Sequence, residues 1–478
     1  MSQFDLVIQK GTVVTADDVF EADVGIAEGM IVALGQGLTG ERAIDVEGKY
    51  VLPGLIDAHV HLQLPVGGQI SADDFETGSI AAACGGTTTI VDFVTPRRGQ
   101  ALDDAVCERR AEADGWVVVD YALHLTAIDA LPDTLSVLPT LAGQGYTTLK
   151  LYTTYPTVRV SDGEMLALFE VCRENGILPL IHAENDAGIA YLQRRFLAQG
   201  NTGVEWHARS RPPIVEAEAV QRVLALASLV GTPIYLVHLS TEEAVECVRA
   251  ARDRGQTVYA EVCAQHLLLS DRMYDRPDFE SANFVLSPPL RGAQHQKALW
   301  RALARGELDV VSTDHCPWTR AQRECGREDF TRIPNGIPGI ETRGQLIWEE
   351  GVNKARLSLE RMVEVCATAP ARLMGLYPRK GTIAVGSDAD LAIWDPARSW
   401  TLRADELHHT VDHCPYEGWQ GHGAPCTVLL RGQVIVRDGE FIGRTGQGVF
   451  VPRCELTARQ ASQATYKQSF LQANDTQT

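Results

Sequence analysis

Clusters of basic residues are what this sequence lacks first. Sixty-two Asp and Glu stand against 43 Lys and Arg in 478 residues, a net charge of −19, and no stretch gathers Lys and Arg as binding to a phosphate backbone requires. Nucleic acid is therefore not an expected partner. No apolar run is long enough to span a membrane, so no membrane association is expected either. The opening residues, "MSQFDLVIQKGTVV", lack a basic start and an apolar core ending in a small-residue cleavage site, and nothing marks them for secretion. The eleven cysteines are scattered, odd in number and never spaced Cys-x-x-Cys, as expected of reduced thiols in a cytoplasmic protein, most of them small core residues. Hydrophobic residues at 45% and charged ones at 22% describe an ordinary globular chain.

The length suits one barrel-sized domain with additions, or about three ordinary domains. From residue 51 onward, apolar and β-branched runs recur: "VLPGLIDAHVHL" (51–62), "TTTIVDF" (87–93), "WVVVDYALHLTA" (116–127), "YTTLKLY" (146–152), "ILPLIHAE" (177–184), "PIYLVHLS" (233–240), "TVYAEVC" (257–263) and "DVVSTDHC" (309–316). Continuous rather than alternating apolar runs are the mark of buried parallel strands. The segments between them, such as "SDGEMLALFEVCRENG" (161–176), are long enough for crossover helices. Eight β-α repeats predict an α/β fold of the (β/α)8 barrel type. Both flanks read as short strands separated by turns, so residues 1–52 and 375–452 are expected to pair into one small β-sandwich around a 53–374 barrel. A polar, Gln-rich tail is expected over 453–478.

Two motifs are decoys. "GQGLTG" (35–40) fits Gly-x-Gly-x-x-Gly, but "ERAIDVEG" follows it and reads as a turn into a strand, whereas a dinucleotide site needs a helix N-terminus there. "HHTVDHC" (408–414) is rich in metal ligands but lies beyond the eight runs, and is expected to be a solvated or interface loop.

The polar exceptions at the ends of the runs carry the chemistry. His59 and His61 end the first run, and residues two apart on a strand share a face. Lys150 ends the fourth, His182 the fifth, His238 the sixth and Asp314 the eighth. Each has a plain alternative: a satisfied core histidine, a lysine snorkelling out of the sheet, an aspartate capping a helix. Together they fall at the same end of their strands, where a barrel gathers its catalytic groups. An ammonium beside divalent cations is repelled and costly to bury, so Lys150 is expected to be neutral or altered. A neutral amine adds carbon dioxide to give a carbamate, whose two oxygens bridge a pair of metals. Nitrogen and oxygen ligands without thiolate suit zinc, with manganese or cobalt also compatible. Such a pair generates hydroxide near neutral pH and polarises a carbonyl, with Asp314 as ligand and general base and acid. The expected reaction is metal-assisted hydrolysis of an amide-like bond.

These residues resemble the amidohydrolase superfamily, and within it the dihydropyrimidinases and D-hydantoinases. The resemblance runs from "PGLIDAHVHL" through "GGTTTIVDF", "KLYTTY", "HAEN", "HLS", "SPPLR" and "STDHCP" to "NGIPGIETR" and "GSDADLAIWD". It implies that His59, His61, carboxylated Lys150 and Asp314 hold one metal ion, and Lys150, His182 and His238 the other. It implies that Tyr155 hydrogen-bonds the developing oxyanion, and that backbone groups of Ser287 and Asn335 hold the ring amide of a small cyclic substrate. The product would be an N-carbamoyl amino acid, and the assembly a homotetramer or dimer. Dihydroorotases carry an arginine where this chain has Gln63, and tend to have Asn in place of Ser287, which disfavours a carboxylated ring. "STDHCP" and "SPPLR" disfavour allantoinase. A related ring amidohydrolase of either kind remains an alternative, as does a non-catalytic scaffold of the kind found among dihydropyrimidinase relatives, although all six ligands are present. Leu64, Val66 and Val158, in loops bordering the pocket, are candidate contacts to the ring substituent.

Overall fold

The computed structural model describes residues 4–454. Each of the eight apolar runs contributes one strand to an eight-stranded parallel sheet: Leu55–Asp57, Thr87–Val94, Asp120–Thr126, Thr148–Tyr152, Leu178–His182, Ile234–Leu236, Val258–Cys263 and Val310–Ser312. They lie side by side in chain order. A parallel bridge between Val60 and His315 joins the ends, with the His61 N–H donating to the His315 carbonyl at 2.8 Å. The sheet is thus closed, and its strands are apolar on both faces because both are covered.

The helices follow from local chemistry. Ser161 caps Asp162–Glu174, accepting from the Glu164 N–H while the Glu164 carboxylate reaches back to the Ser161 N–H, a reciprocal arrangement that satisfies two otherwise orphaned donors. Its buried face is Met165, Leu168, Phe169 and Cys172, positions that fall on one side of a 3.6-residue period.

The first run is not one strand but two. Tyr50–Pro53 pairs antiparallel with Leu391–Thr401 in a separate nine-stranded sheet, and only Leu55–Asp57 enters the barrel. The break falls at Gly54, where an added Cβ would lie 2.1 Å from Thr88 Oγ1; only glycine lets the chain cross that close. The nine-stranded sheet takes strands from both flanks, Leu6–Val14 through Tyr50–Pro53 and Leu391–Thr401 through Glu440–Phe441, so both chain ends build the β-sandwich beside the barrel. After Gly35 the chain turns directly into the strand Arg42–Asp45, which leaves "GQGLTG" without the helix that a pyrophosphate needs.

Barrel and flank are tied by a buried ionic hub. Lys380 Nζ lies 2.5 Å from Asp120, 2.9 Å from Asp388 and 2.6 Å from Asp390, and Arg431 also pairs with Asp120. Of the expected tail, Arg453 is buried and its N–H donates to the Gly145 carbonyl, while the Cys454 N–H donates to Gly375; the remainder lies outside the described residues. Among the described residues no helix is long and apolar enough to cross a membrane.

Candidate metal centre

His59 and His61 lie just past the end of their strand, on either side of the Val60 bridge to His315. Their Nε2 atoms sit 3.2 and 3.1 Å from the same Asp314 oxygen. On the far side, His238 Nε2 and His182 Nδ1 are 3.0 Å apart. The halves meet where the His59 and His238 rings stack at 5.5 Å. Lys150 is buried among them, with Nζ 5.0 Å from the Phe93 ring centre and 5.1 Å from that of Tyr152, and its charge acts on His59, His182, His238 and Asp314. All six side chains are therefore gathered in one place.

Their protonation suits metal ions. Burial, reinforced by the neighbouring Lys150 and by other imidazoles, holds His59 and His238 well below the ordinary histidine range, and burial also lowers His182. Neutral imidazole is the ligating form. Burial likewise pulls Lys150 down to about 8, against the opposing pull of Asp314 and Glu261, so neutral amine is accessible near physiological pH.

The inward-facing nitrogen of two rings is set from outside. His59 Nδ1 lies 2.8 Å from Glu261 Oε1. As a carboxylate only accepts, Nδ1 carries the hydrogen and Nε2 presents its lone pair to the centre; that buried Nε2 completes no hydrogen bond. His182 is turned the other way round, with Nε2 2.8 Å from Glu184 and Nδ1 inward. Burial alone would raise the Glu184 carboxyl, but Arg211, 2.7 Å away, and His182 hold it at about 2. Glu261 also accepts from Tyr235, Ser312 and the His238 N–H, at 2.8, 2.9 and 3.1 Å.

Sequence reasoning missed Glu261, Glu184 and Arg211 as positioning residues. The signal was present in "YAEVC" and "HAEN", since a carboxylate inside a buried strand or directly after one must be paired. His315 also went unassigned. Its Nε2 donates to Asp73 at 2.8 Å and its Nδ1 accepts from Gly339 at 3.1 Å, which fixes the turn carrying Asp314. Asp73 in turn accepts from the Thr410 N–H and hydroxyl, both at 2.7 Å. The "HHTVDHC" stretch is solvated along one side only: Thr410 and Asp412 are exposed, whereas His409, Val411, His413 and Cys414 are buried, and the bonds from Thr410 to Asp73 hold it against the barrel.

Tyr155 stands over His182, ring centres 5.3 Å apart, with the Arg211 guanidinium 5.5 Å from its ring centre. Burial outweighs Arg211 and pushes its phenol up to about 12, so it is a hydrogen-bond donor at neutral pH. Ser287 lies beside it, its buried hydroxyl facing the phenol. The Asn335 carbonyl accepts from Trp318 Nε1 at 2.9 Å and keeps one lone pair, while the buried Asn335 Oδ1 has no partner. Val66 is exposed on a small hairpin of Pro65–Val66 and Gln69–Ile70, and Leu64 and Val158 are half-buried. Three of these functional positions, Tyr155, His238 and Asp314, have φ of 69°, 40° and 51°, a left-handed conformation that L-residues other than glycine adopt at a cost and that concentrates at functional sites.

The amidohydrolase family model matches residues 50–435. The chain belongs to the amidohydrolase family. This amidohydrolase is 43% identical to a D-hydantoinase of Geobacillus stearothermophilus over 97% of its own length and 99% of that protein. It is 41% identical to a D-phenylhydantoinase of Escherichia coli O9:H4 (strain HS), covering 94% and 98% of the two chains. Among solved structures it superposes on the dihydropyrimidinase from Brevibacillus agri NCHU1002 with a TM-score of 0.93 at 42% identity, covering 94% and 98%. On the L-hydantoinase (dihydropyrimidinase) from Arthrobacter aurescens the TM-score is 0.87 at 32% identity, covering 94% and 100%.

Proposed function

We propose that this amidohydrolase opens the ring of dihydropyrimidines or 5-substituted hydantoins to N-carbamoyl amino acids. In this reading His59, His61, Lys150 as its carbamate, and Asp314 hold one divalent ion, and Lys150, His182 and His238 the other, with zinc the first choice and manganese or cobalt compatible. The observation that carries the reading is the convergence of four imidazoles on Asp314 and Lys150, with the lone pair of His59 Nε2 turned inward by Glu261. When bound, two such ions supply Lewis acidity toward the scissile carbonyl and activation of water.

The chain's own groups do the rest. Asp314 takes the proton of the attacking water and returns it to the ring nitrogen as the amide C–N bond breaks, a general base that becomes a general acid. Tyr155, protonated at neutral pH, donates to the oxygen on which charge develops. Backbone groups of Ser287 and Asn335 orient the ring amide, and Leu64, Val66 and Val158 border the substituent. The higher identity to D-hydantoinases than to the L-hydantoinase supports a preference for the D-enantiomer. The ten cysteines from Cys84 to Cys426 are free thiols, which supports a reducing, cytoplasmic setting. A homotetramer, with a dimer as the alternative, is the assembly to look for by light scattering.

The deciding experiment is a panel of dihydrouracil, racemic 5-substituted hydantoins, allantoin and dihydroorotate, run on protein with measured metal content. The expected result is at least two metals per chain, turnover of the first two substrate groups only, and D-configured N-carbamoyl product on chiral chromatography. Preferred cleavage of dihydroorotate or allantoin would reassign the substrate, and a chain that takes up no metal after supplementation would favour a scaffold.

A further inference from the structure

Three groups of side chains bring His, Cys or carboxylate donors within 4.8 Å of one another among the described residues: His59 with His61 and Asp314, Asp120 with Asp388 and Asp390, and Cys84 with Glu341 and His408. The first belongs to the centre above. The second already encloses its cation, the Lys380 ammonium. The third has no cation beyond its own His408. We propose that Cys84, Glu341 and His408 form a further divalent-cation site, selective for zinc-like ions, that fastens the 402–419 loop to the barrel and shares no residue with the four-histidine centre.

The donors come from three distant segments. Cys84 is the last residue of the helix Phe75–Cys84, Glu341 follows the turn that packs on His315, and His408 lies in the loop before the strand Gln420–Leu430. Thiolate, imidazole and carboxylate are together the ligands of tetrahedral zinc. Cys84 and Glu341 are buried and His408 is half-buried, which leaves an approach from the His408 side. His408 already turns toward Glu341, with Nδ1 2.8 Å from one carboxylate oxygen and its N–H donating to the other at 2.7 Å. Among the described residues no Lys or Arg forms an ion pair with Glu341 or with Glu440. Glu440, exposed on the strand Glu440–Phe441, adds its negative charge to the field at both Cys84 and His408, and the fourth position is left to water. The Glu341 hydrogen bond raises the pKa of His408, so in the empty site the imidazole balances the carboxylate; a divalent ion would take over that role on displacing the proton.

Binding would release the Cys84 thiol proton and whatever proton His408 carries, and so weaken in acid. The ion would also matter beyond its own ligands. Thr410, two residues from His408, makes both hydrogen bonds to Asp73, which orients His315 beside Asp314. Holding His408 therefore holds the strut behind the catalytic turn.

Cobalt reports on this site separately from the catalytic one, because the centre proposed above contains no thiolate. The full-length protein, stripped and reloaded with Co²⁺, should show a thiolate-to-cobalt charge-transfer band in the near ultraviolet and bind one cobalt more than Cys84→Ser or His408→Gln. Both variants should lose the band, the extra ion and the stabilisation that it gives against heat, while the remaining cobalt stays. Absence of the band in the unaltered protein, an equal cobalt count in all three, or a band that survives in both variants would each overturn the proposal. A single cobalt in the unaltered protein, with the band present and lost in both variants, would instead count against the four-histidine centre and leave this site standing. If Cys84→Ser does not fold, His408→Gln and the unaltered protein suffice.

Discussion

Replacing Glu261 with glutamine tests whether the metal centre is organised from behind. The carboxylate accepts four hydrogen bonds: Oε1 from His59 Nδ1 and the His238 N–H, Oε2 from the Tyr235 and Ser312 hydroxyls. Its lone pairs are then fully used. A glutamine of the same shape has one oxygen and one NH2 group. The hydroxyls of Tyr235 and Ser312 can rotate to accept, so the NH2 group should turn toward them and the remaining oxygen toward His59. The packing survives, but a charge-assisted bond to His59 becomes a neutral one, about half as strong. Loss of such an outer partner costs roughly 10–100-fold in metal affinity, and because the amide still accepts, the lower end applies: about tenfold, or ~1.4 kcal/mol.

Competition with a chromophoric chelator for Zn²⁺ measures this directly. Glu261→Gln should raise the zinc Kd about tenfold while turnover at saturating zinc stays within a few-fold of the unaltered enzyme. Tyr235→Phe removes a hydrogen bond from the same carboxylate without touching His59, and should leave the Kd nearly unchanged. If both variants lose affinity equally, the effect is one of packing and the tautomer argument is wrong. If Glu261→Gln binds zinc normally, His59 needs no orienting partner.

Lys150→Ala should lose bridging and most activity, with partial recovery on adding short carboxylic acids; full activity without them would refute the carbamate. Asp314→Asn should lower kcat by roughly 10²–10⁴ with an unaltered circular dichroism spectrum, and a near-normal rate would remove it as proton carrier. Lys380→Met leaves Asp390 without a cation, while Asp120 keeps Arg431 and Asp388 keeps Arg379, and should cost about 3 kcal/mol; at an unfolding entropy of ~2.1 cal/mol/K per residue, calorimetry should register this as a fall in Tm of a few degrees, and an unchanged Tm would show the hub to be dispensable. His207, whose Nε2 donates to the Leu286 carbonyl at 2.8 Å, is pulled by burial to about 3. It stays neutral in the fold but takes a proton on unfolding below about 6.5, so its contribution is lost as the pH falls from about 6.5 toward 3, at up to ~1.4 kcal/mol per pH unit. Denaturant titrations of metal-stripped protein should show a shallower acid decline for His207→Gln, and an identical slope would exclude the residue as a source.

The barrel was legible because its strands are buried on both faces and therefore read as unbroken apolar runs, and because polar residues interrupt those runs only where the strands open. The split of the first run at Gly54 was not legible, because nothing in "VLPGLID" distinguishes a strand that changes sheets from one that continues. The clash that decides it comes from Thr88, more than thirty residues away. The one-sided burial of residues 408–414 was equally hidden: a His- and Asp-rich stretch reads as a solvated or interface loop until Asp73, distant in sequence, is seen to accept from Thr410. Glu184 and Glu261 could have been singled out as buried carboxylates, but not matched to Arg211 and His59, since the matching depends on which barrel strands are adjacent.

What no pattern of residue types carries is which nitrogen of each ring faces inward. His59 presents Nε2 because Glu261 holds Nδ1, and His182 presents Nδ1 because Glu184, itself fixed by Arg211, holds Nε2. The two rings enter from different strands, and opposite tautomers turn both lone pairs toward the centre. That orientation is built before any ion arrives, so ordering the rings costs little on binding, which is the general advantage of preorganisation. The left-handed backbone at His238, Asp314 and Tyr155 belongs to the same account. The conformational cost is met by the surrounding core, and the side chains it aims are those that must meet at the centre.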